Sequence, residues 1–153
     1  MSRRIPFWSA LSALLLAADL TTKSWAVHTL TTPLNLIGTT VSLNLSFNKG
    51  VAFSVPIPGA VMLVITPVLV VLFAYMLIKH GNMSSPLTTT ALSLMVAGGL
   101  GNFINRIQYD AVVDFIRVAW WPSFNLADSY LTIAAFLIII FYGKITTYGR
   151  NPK

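Results

Sequence analysis

Residues Gly98–Asp128 read GGLGNFINRIQYDAVVDFIRVAWWPSFNLAD. The stretch leaves one apolar segment, crosses a short polar connection and enters a second apolar segment. The chain has only four acidic residues, all Asp, and three of them fall here: Asp110, Asp114 and Asp128. A carboxylate in or beside an apolar span is costly and is a functional-site hypothesis by default. Gly98, Gly99 and Gly101 permit close approach between membrane helices. Gly98, Asn102 and Arg106 are spaced by four and share one helix face. Asn125 and Asp128, three apart, share a face near the start of the following helix.

Composition sets the solvent. Of 153 residues, 56% are hydrophobic and 9% charged, against about a quarter charged in an ordinary soluble domain. That surface calls for lipid. The net charge of +6 comes from Lys and Arg placed mostly at the ends of apolar runs, where they set topology. No basic run with interleaved aromatics is present, so nucleic acid is not an expected partner. The absence of Cys removes disulfides, thiol nucleophiles and Cys-based metal sites.

Four spans follow, at about residues 7–28, 59–78, 87–105 and 124–142. The first has a basic start and a short apolar core, as a secretory signal peptide does, but its pattern resumes at Trp25 beyond Asp19 and Lys23. These two, spaced by four with the acid first, form a favourable pair on one face, either for packing alone or as part of a site. The second span contains Pro67, tolerated in a membrane helix as a kink. Between these spans, Val41, Leu43, Leu45 and Phe47 alternate with polar residues, so a short strand is expected. Asn48-Lys49-Gly50 is turn chemistry, and Val51 to Val55 would complete a hairpin-like platform. The expected architecture is one all-α membrane domain over residues 1–153, with four transmembrane helices and a small extracytoplasmic platform.

Four spans put both termini on one side, with Arg3, Arg4, Lys79, Lys144, Arg150 and Lys153 and no acid. The positive-inside rule makes that side cytoplasmic. At 1.5 Å per residue, Asp128 then lies roughly 6 Å below the outer end of its helix. Asn102, Arg106, Asp114, Asn125 and Asp128 can converge there, just under the outer surface.

The chemistry is narrowed by what is missing. His28 and His80 fall on opposite sides and no HExxH occurs, which disfavours a metalloprotease. Lys23 adjoins Ser24, but an ionised Lys paired with Asp19 is no base, and no GxSxG elbow is present. Two carboxylates in a low-dielectric site can share a proton and activate a water between them. The bland alternative makes Asp114 a loop carboxylate paired with Arg106 or Arg117, and Asp128 a first-turn residue at a helix dipole. A small ion- or proton-coupled transporter using Asp19 and Lys23 as a relay, and a non-catalytic membrane scaffold, are the other readings.

Five stretches in this order carry a family pattern: Asp19-Leu-Thr-Thr-Lys23, Asn48-Lys-Gly50-Val-Ala-Phe53, Gly98-Gly-Leu-Gly-Asn102 through Arg106, Val112-Val-Asp114-Phe115, and Phe124-Asn-Leu-Ala-Asp128. The chain resembles lipoprotein signal peptidase, the type II signal peptidase of bacteria, over nearly its whole length. The resemblance implies an aspartyl endopeptidase of the inner membrane that cuts a prolipoprotein just before a diacylglyceryl-modified Cys. It implies no metal or other cofactor, and as partners the lipid-modified precursor and membrane lipid, with the enzyme a monomer. Asp114 and Asp128 would be the catalytic pair. Asn102, Arg106 and Asn125 would line the site, Asp19 and Lys23 would shape it from the first helix, and Asn48 and Gly50 would sit in the platform above. The implied fold adds a β-cradle and a short periplasmic helix, the latter over Phe115–Trp121. Two positions depart from the pattern. Asn105 stands where an Asp usually precedes the Arg, and Asp110 where a Gly usually precedes the VVDF segment. Both bear on the surroundings of Arg106 and leave the pair intact, although Asp110 is itself an alternative member of it.

Overall fold

A computed structural model describes residues 5–50 and 59–145. Arg3, Arg4, the Val51–Val55 arm with Pro56 and Pro58, and the basic tail with Tyr148, Arg150 and Lys153 lie outside the described residues. The elements run α1 (Ile5–Thr29), β1 (Leu34–Ile37), β2 (Val41–Asn48), α2 (Gly59–His80), α3 (Pro86–Tyr109), β3 (Val112–Val118), α4 (Leu126–Ile140) and a single turn α5 (Tyr142–Ile145). Each expected span contains a helix, with ends shifted by a few residues. Among the described residues, α2 and α3 are the two helices long and apolar enough to cross a membrane.

Helix α3 is the centre of the bundle. Pro86 opens it at a position where a missing N–H costs nothing. It packs against α1, α2 and α4. Two glycines make those contacts close. A Cβ on Gly98 would lie 2.6 Å from the Ala127 carbonyl oxygen of α4, and one on Gly101 would strike the Asp19 carboxylate of α1. At the end of α3 near the α2–α3 loop, Leu77, Leu92, Leu94, Met95, Ala134 and Ile145 form the buried apolar core. Helix α5 closes that end, because the Ile145 carbonyl accepts the Asn82 amide at 2.6 Å and the Thr88 hydroxyl at 3.2 Å.

At the other end lies a three-stranded antiparallel sheet in the order β1-β2-β3. Alternation predicts β2. The other two strands go beyond that expectation, although VVDFIRV is rich in the β-branched residues that suit a pleated surface. The short helix expected over Phe115–Trp121 is absent: Phe115–Val118 belong to β3, and the chain then turns at Ala119, whose φ is 48°. Pairing with β2 decides this, since Val41 faces Val118 and Leu43 faces Ile116. The far edge of β3 is met by Phe124, whose carbonyl accepts the Phe115 and Ile116 amides at 3.1 and 2.9 Å. Phe115 packs with Ala26 and Leu30 from the end of α1, and stands edge-on to Trp25 with ring centroids 6.4 Å apart. That cluster fastens the sheet to the bundle and puts Asp114 over the ends of α3 and α4.

Candidate active site

The site is built from the start of α4. Asn125 caps this helix: its Oδ1 accepts the Asp128 amide at 2.9 Å, and Asp128 Oδ2 accepts the Asn125 amide at 3.3 Å. This reciprocal pair satisfies two orphan donors of the first turn. It also leaves the Asn125 amide nitrogen free to reach outward. Nδ2 donates to Asp114 Oδ1 at 2.7 Å, and lies 3.3 Å from both the Val113 carbonyl and Asn102 Oδ1. One residue therefore holds both carboxylates, Asp128 through its main chain and Asp114 through its side chain.

Asn102 provides the second bridge. Its Nδ2 donates to Asp128 Oδ1 at 2.8 Å, while its Oδ1 accepts from Lys23 Nζ at 2.9 Å. The donor on one side and the carboxylate on the other fix the orientation of the amide. Lys23 is also 2.8 Å from Asp19 Oδ2, and both are buried, at 1% and 0% exposure. The other Asp19 oxygen accepts the Ala127 amide of α4 at 2.9 Å. Asp19 thus caps α4 from a different helix, and Lys23 compensates the charge that doing so buries. Above, Asn48 Nδ2 donates to Asp114 Oδ2 at 3.0 Å, and the Gly50 amide returns to Asn48 Oδ1 at 2.9 Å.

Asp114 is buried at 2% exposure. Burial, and next the charge of Asp128, push its carboxyl up from 3.8 to about 6, against the opposing effect of the Asn48 and Asn125 hydrogen bonds and of Lys23. A cavity of about 550 Å³ opens beside the network. Asn102, Arg106 and Asp128 form its polar end, and its walls are apolar side chains of α2, α3 and α4, from Phe73 and Met95 to Ile138. The arrangement presents two carboxyls bridged by Asn125, Asp114 in a low-dielectric setting and Asp128 at the polar end of an apolar groove.

The family model for signal peptidase II matches residues 11–143. The chain belongs to the signal peptidase II family. A lipoprotein signal peptidase of Chlorobaculum tepidum is 36% identical over 154 residues, covering 90% of this chain and 93% of the relative. Another, of Chlorobium phaeovibrioides, is 36% identical over 127 residues, covering 72% and 75%. A solved bacterial membrane enzyme superposes with a TM-score of 0.84 at 29% identity, over 97% of this chain and 94% of its own. This is a membrane-enzyme fold, rich in helix with a small antiparallel sheet.

Within this signal peptidase II fold, Asn102, Asp114, Asn125 and Asp128 meet at one level, as their depths along the helices predict, joined by Asn48, Asp19 and Lys23. Gly50 enters only through its amide. Arg106 lines the cavity but makes no ion pair with either carboxylate among the described residues, so pairing of Asp114 with Arg106 or Arg117 is not what the structure shows. Asp110 stands apart, exposed at the end of α3 with φ 52°. Its amide bonds the Arg106 carbonyl at 3.0 Å. It terminates the helix. Asn105, in sequence only a departure beside Arg106, has a structural partner. It is 1% exposed and its Oδ1 accepts the Val113 amide at 3.1 Å. Its spacing of three from Asn102 is the signal that both stand on the same face of α3.

Proposed function

We propose that this chain is an aspartyl endopeptidase that removes signal peptides from prolipoproteins, cutting just before a diacylglyceryl-modified Cys. Asp114 and Asp128 are its catalytic pair. The observation that carries this reading is Asn125, which holds both carboxyls at once beside an apolar cavity. Asp19, Asp114 and Asp128 face the two cations Lys23 and Arg106, so a single proton on the pair leaves the cluster neutral. With one proton shared, the ionised carboxylate takes a proton from a water between the two. The water oxygen attacks the scissile carbonyl carbon, and the neutral carboxyl hydrogen-bonds the carbonyl oxygen as charge develops there. Collapse breaks the C–N bond, and the departing amine takes its proton from the pair. Water and the two side chains suffice, with no metal or cofactor in any step.

The surroundings suit this substrate class. A precursor anchored by acyl chains brings its cleavage site to a membrane surface, and the groove offers apolar walls ending at Asp128. Arg106 and Asn102 lie where they can bind main-chain carbonyls of the substrate. In the membrane the chain is one domain with four spans, both termini cytoplasmic and the site under the outer leaflet of the bacterial inner membrane, acting as a monomer. Cation placement supports this orientation.

The test is conversion of a precursor peptide by the purified protein in micelles, with the new N-terminus located by mass spectrometry. Cleavage at the lipidated Cys, and none of the unlipidated peptide, is expected. Equal cleavage of both peptides, or none of either, would contradict the proposal.

A further inference from the structure

Val113 is fully buried, and buried main-chain groups must find partners. Two helices supply partners for both of its groups. The amide leaves toward α3, where Asn105 Oδ1 accepts it at 3.1 Å, and the carbonyl leaves toward α4, where Asn125 Nδ2 lies at 3.3 Å. Two Asn side chains thus stand where a fourth strand would be, on the open edge of β3. The residue between this anchor and the Phe124 bonds to Phe115 and Ile116 is Asp114.

We propose that Asn105 is a positioning residue for Asp114, and that α3 sets the spacing of the two carboxyls through Asn102 and Asn105. Asn102 donates to Asp128 Oδ1 at 2.8 Å. Asn105, three residues on, holds the strand that carries Asp114. Three residues are about 4.5 Å of rise on one helix face, so one rigid element fixes the place of both groups. An Asp at position 105 would accept the same amide but would add a fourth carboxylate to Asp19, Asp114 and Asp128, against only Lys23 and Arg106. Asn supplies the acceptor without the charge. The inference rests on the peptidase reading above, since spacing matters only if the two carboxyls act together.

The test compares Asn105→Leu, which removes the acceptor, with Asn105→Asp, which keeps it, in cleavage of a lipidated precursor. Asn105→Leu is expected to lower kcat by about 10²-fold, the loss that follows from small misplacement of a reacting group. KM should be unchanged and exchange of the Val113 amide faster. Asn105→Asp should recover most of kcat. Undiminished kcat in Asn105→Leu, or an Asn105→Asp variant as slow as it, would overturn the proposal. Should Asn105→Leu fail to fold, Asn105→Ser decides by the same readouts: a fall in kcat at constant KM supports the proposal, and an unaltered kcat ends it. Asp114→Asn is assayed alongside. If that variant is active, the peptidase reading itself fails. If it is inactive while Asn105→Leu is fully active, only the role of Asn105 fails.

Discussion

Helices α2 and α3 are of similar length and lie side by side, yet they are opposites. Helix α2 carries no charge before Lys79 and is apolar all round, and its side chains are mostly exposed: Val64 at 63%, Val71 at 67%. Helix α3 is the more polar, and it is the buried one, with Thr88, Thr89, Ser93, Asn102 and Asn105 all inside. In water the apolar helix would be the core. In lipid, apolar side chains gain nothing by leaving the solvent, so the interior goes to small residues that pack closely and polar ones that pair. The difference tells function as well. α2 supplies one wall of a groove, whereas α3 links the groups that would do chemistry.

The largest expected effect breaks the polar end of α3's network. Asp114→Asn and Asp128→Asn should each lower cleavage on the order of 10³-fold or more, and the double variant should be scarcely slower than either, because groups acting as one unit are not additive. Additive losses would mean the carboxyls work separately.

Next, α3 should behave as core. Leu92→Ala, at a fully buried site, should cost about 2–5 kcal/mol in reversible unfolding from micelles.

A comparable but opposite change concerns Asp114. Its carboxyl is raised to about 6 in the folded chain, so ionisation works against folding. That penalty is absent below the ordinary value of 3.8 and complete above about 6. Asp114→Asn should therefore stabilise the protein at neutral pH on the order of 1–3 kcal/mol, with the gain vanishing as pH falls through that window. A gain that instead grows toward low pH would reverse the sign and refute the burial argument. The smallest effect is reserved for the lipid-facing helix: Val71→Ala should change stability by less than about 0.5 kcal/mol.

Much of this is legible in the sequence. Helices α2 and α3 are visible because an uncharged run of about twenty residues matches the thickness of a bilayer's hydrocarbon. Asp114 and Asp128 stand out because acids are so scarce here, and Asn125 because it stands three residues before Asp128 on the same helix face. Strand β3 is hidden because its partner is distant: it is a strand by pairing with Val41–Asn48, across α2 and α3, and no local alternation announces it. Strand β1 pairs locally with β2, but its four residues are too few for alternation to mark it. Asn105 is hidden for a related reason. Its partner is a main-chain amide eight residues on, and a comparison of side-chain types has no means of seeing that bond. Arg106 is expected to line the site and shares the polar end of the cavity with Asn102 and Asp128, without an ion pair to either carboxyl among the described residues.

In the proposed mechanism Asp114 and Asp128 share one proton. Infrared difference spectra of the folded protein, recorded as pH is varied between about 4 and 8, would read it directly. One buried protonated carboxyl band is expected, fading as pH rises through about 6, absent in Asp114→Asn and displaced in Asp128→Asn. A band that is present unchanged in Asp128→Asn would contradict a shared proton and leave Asp114 as a buried acid acting alone.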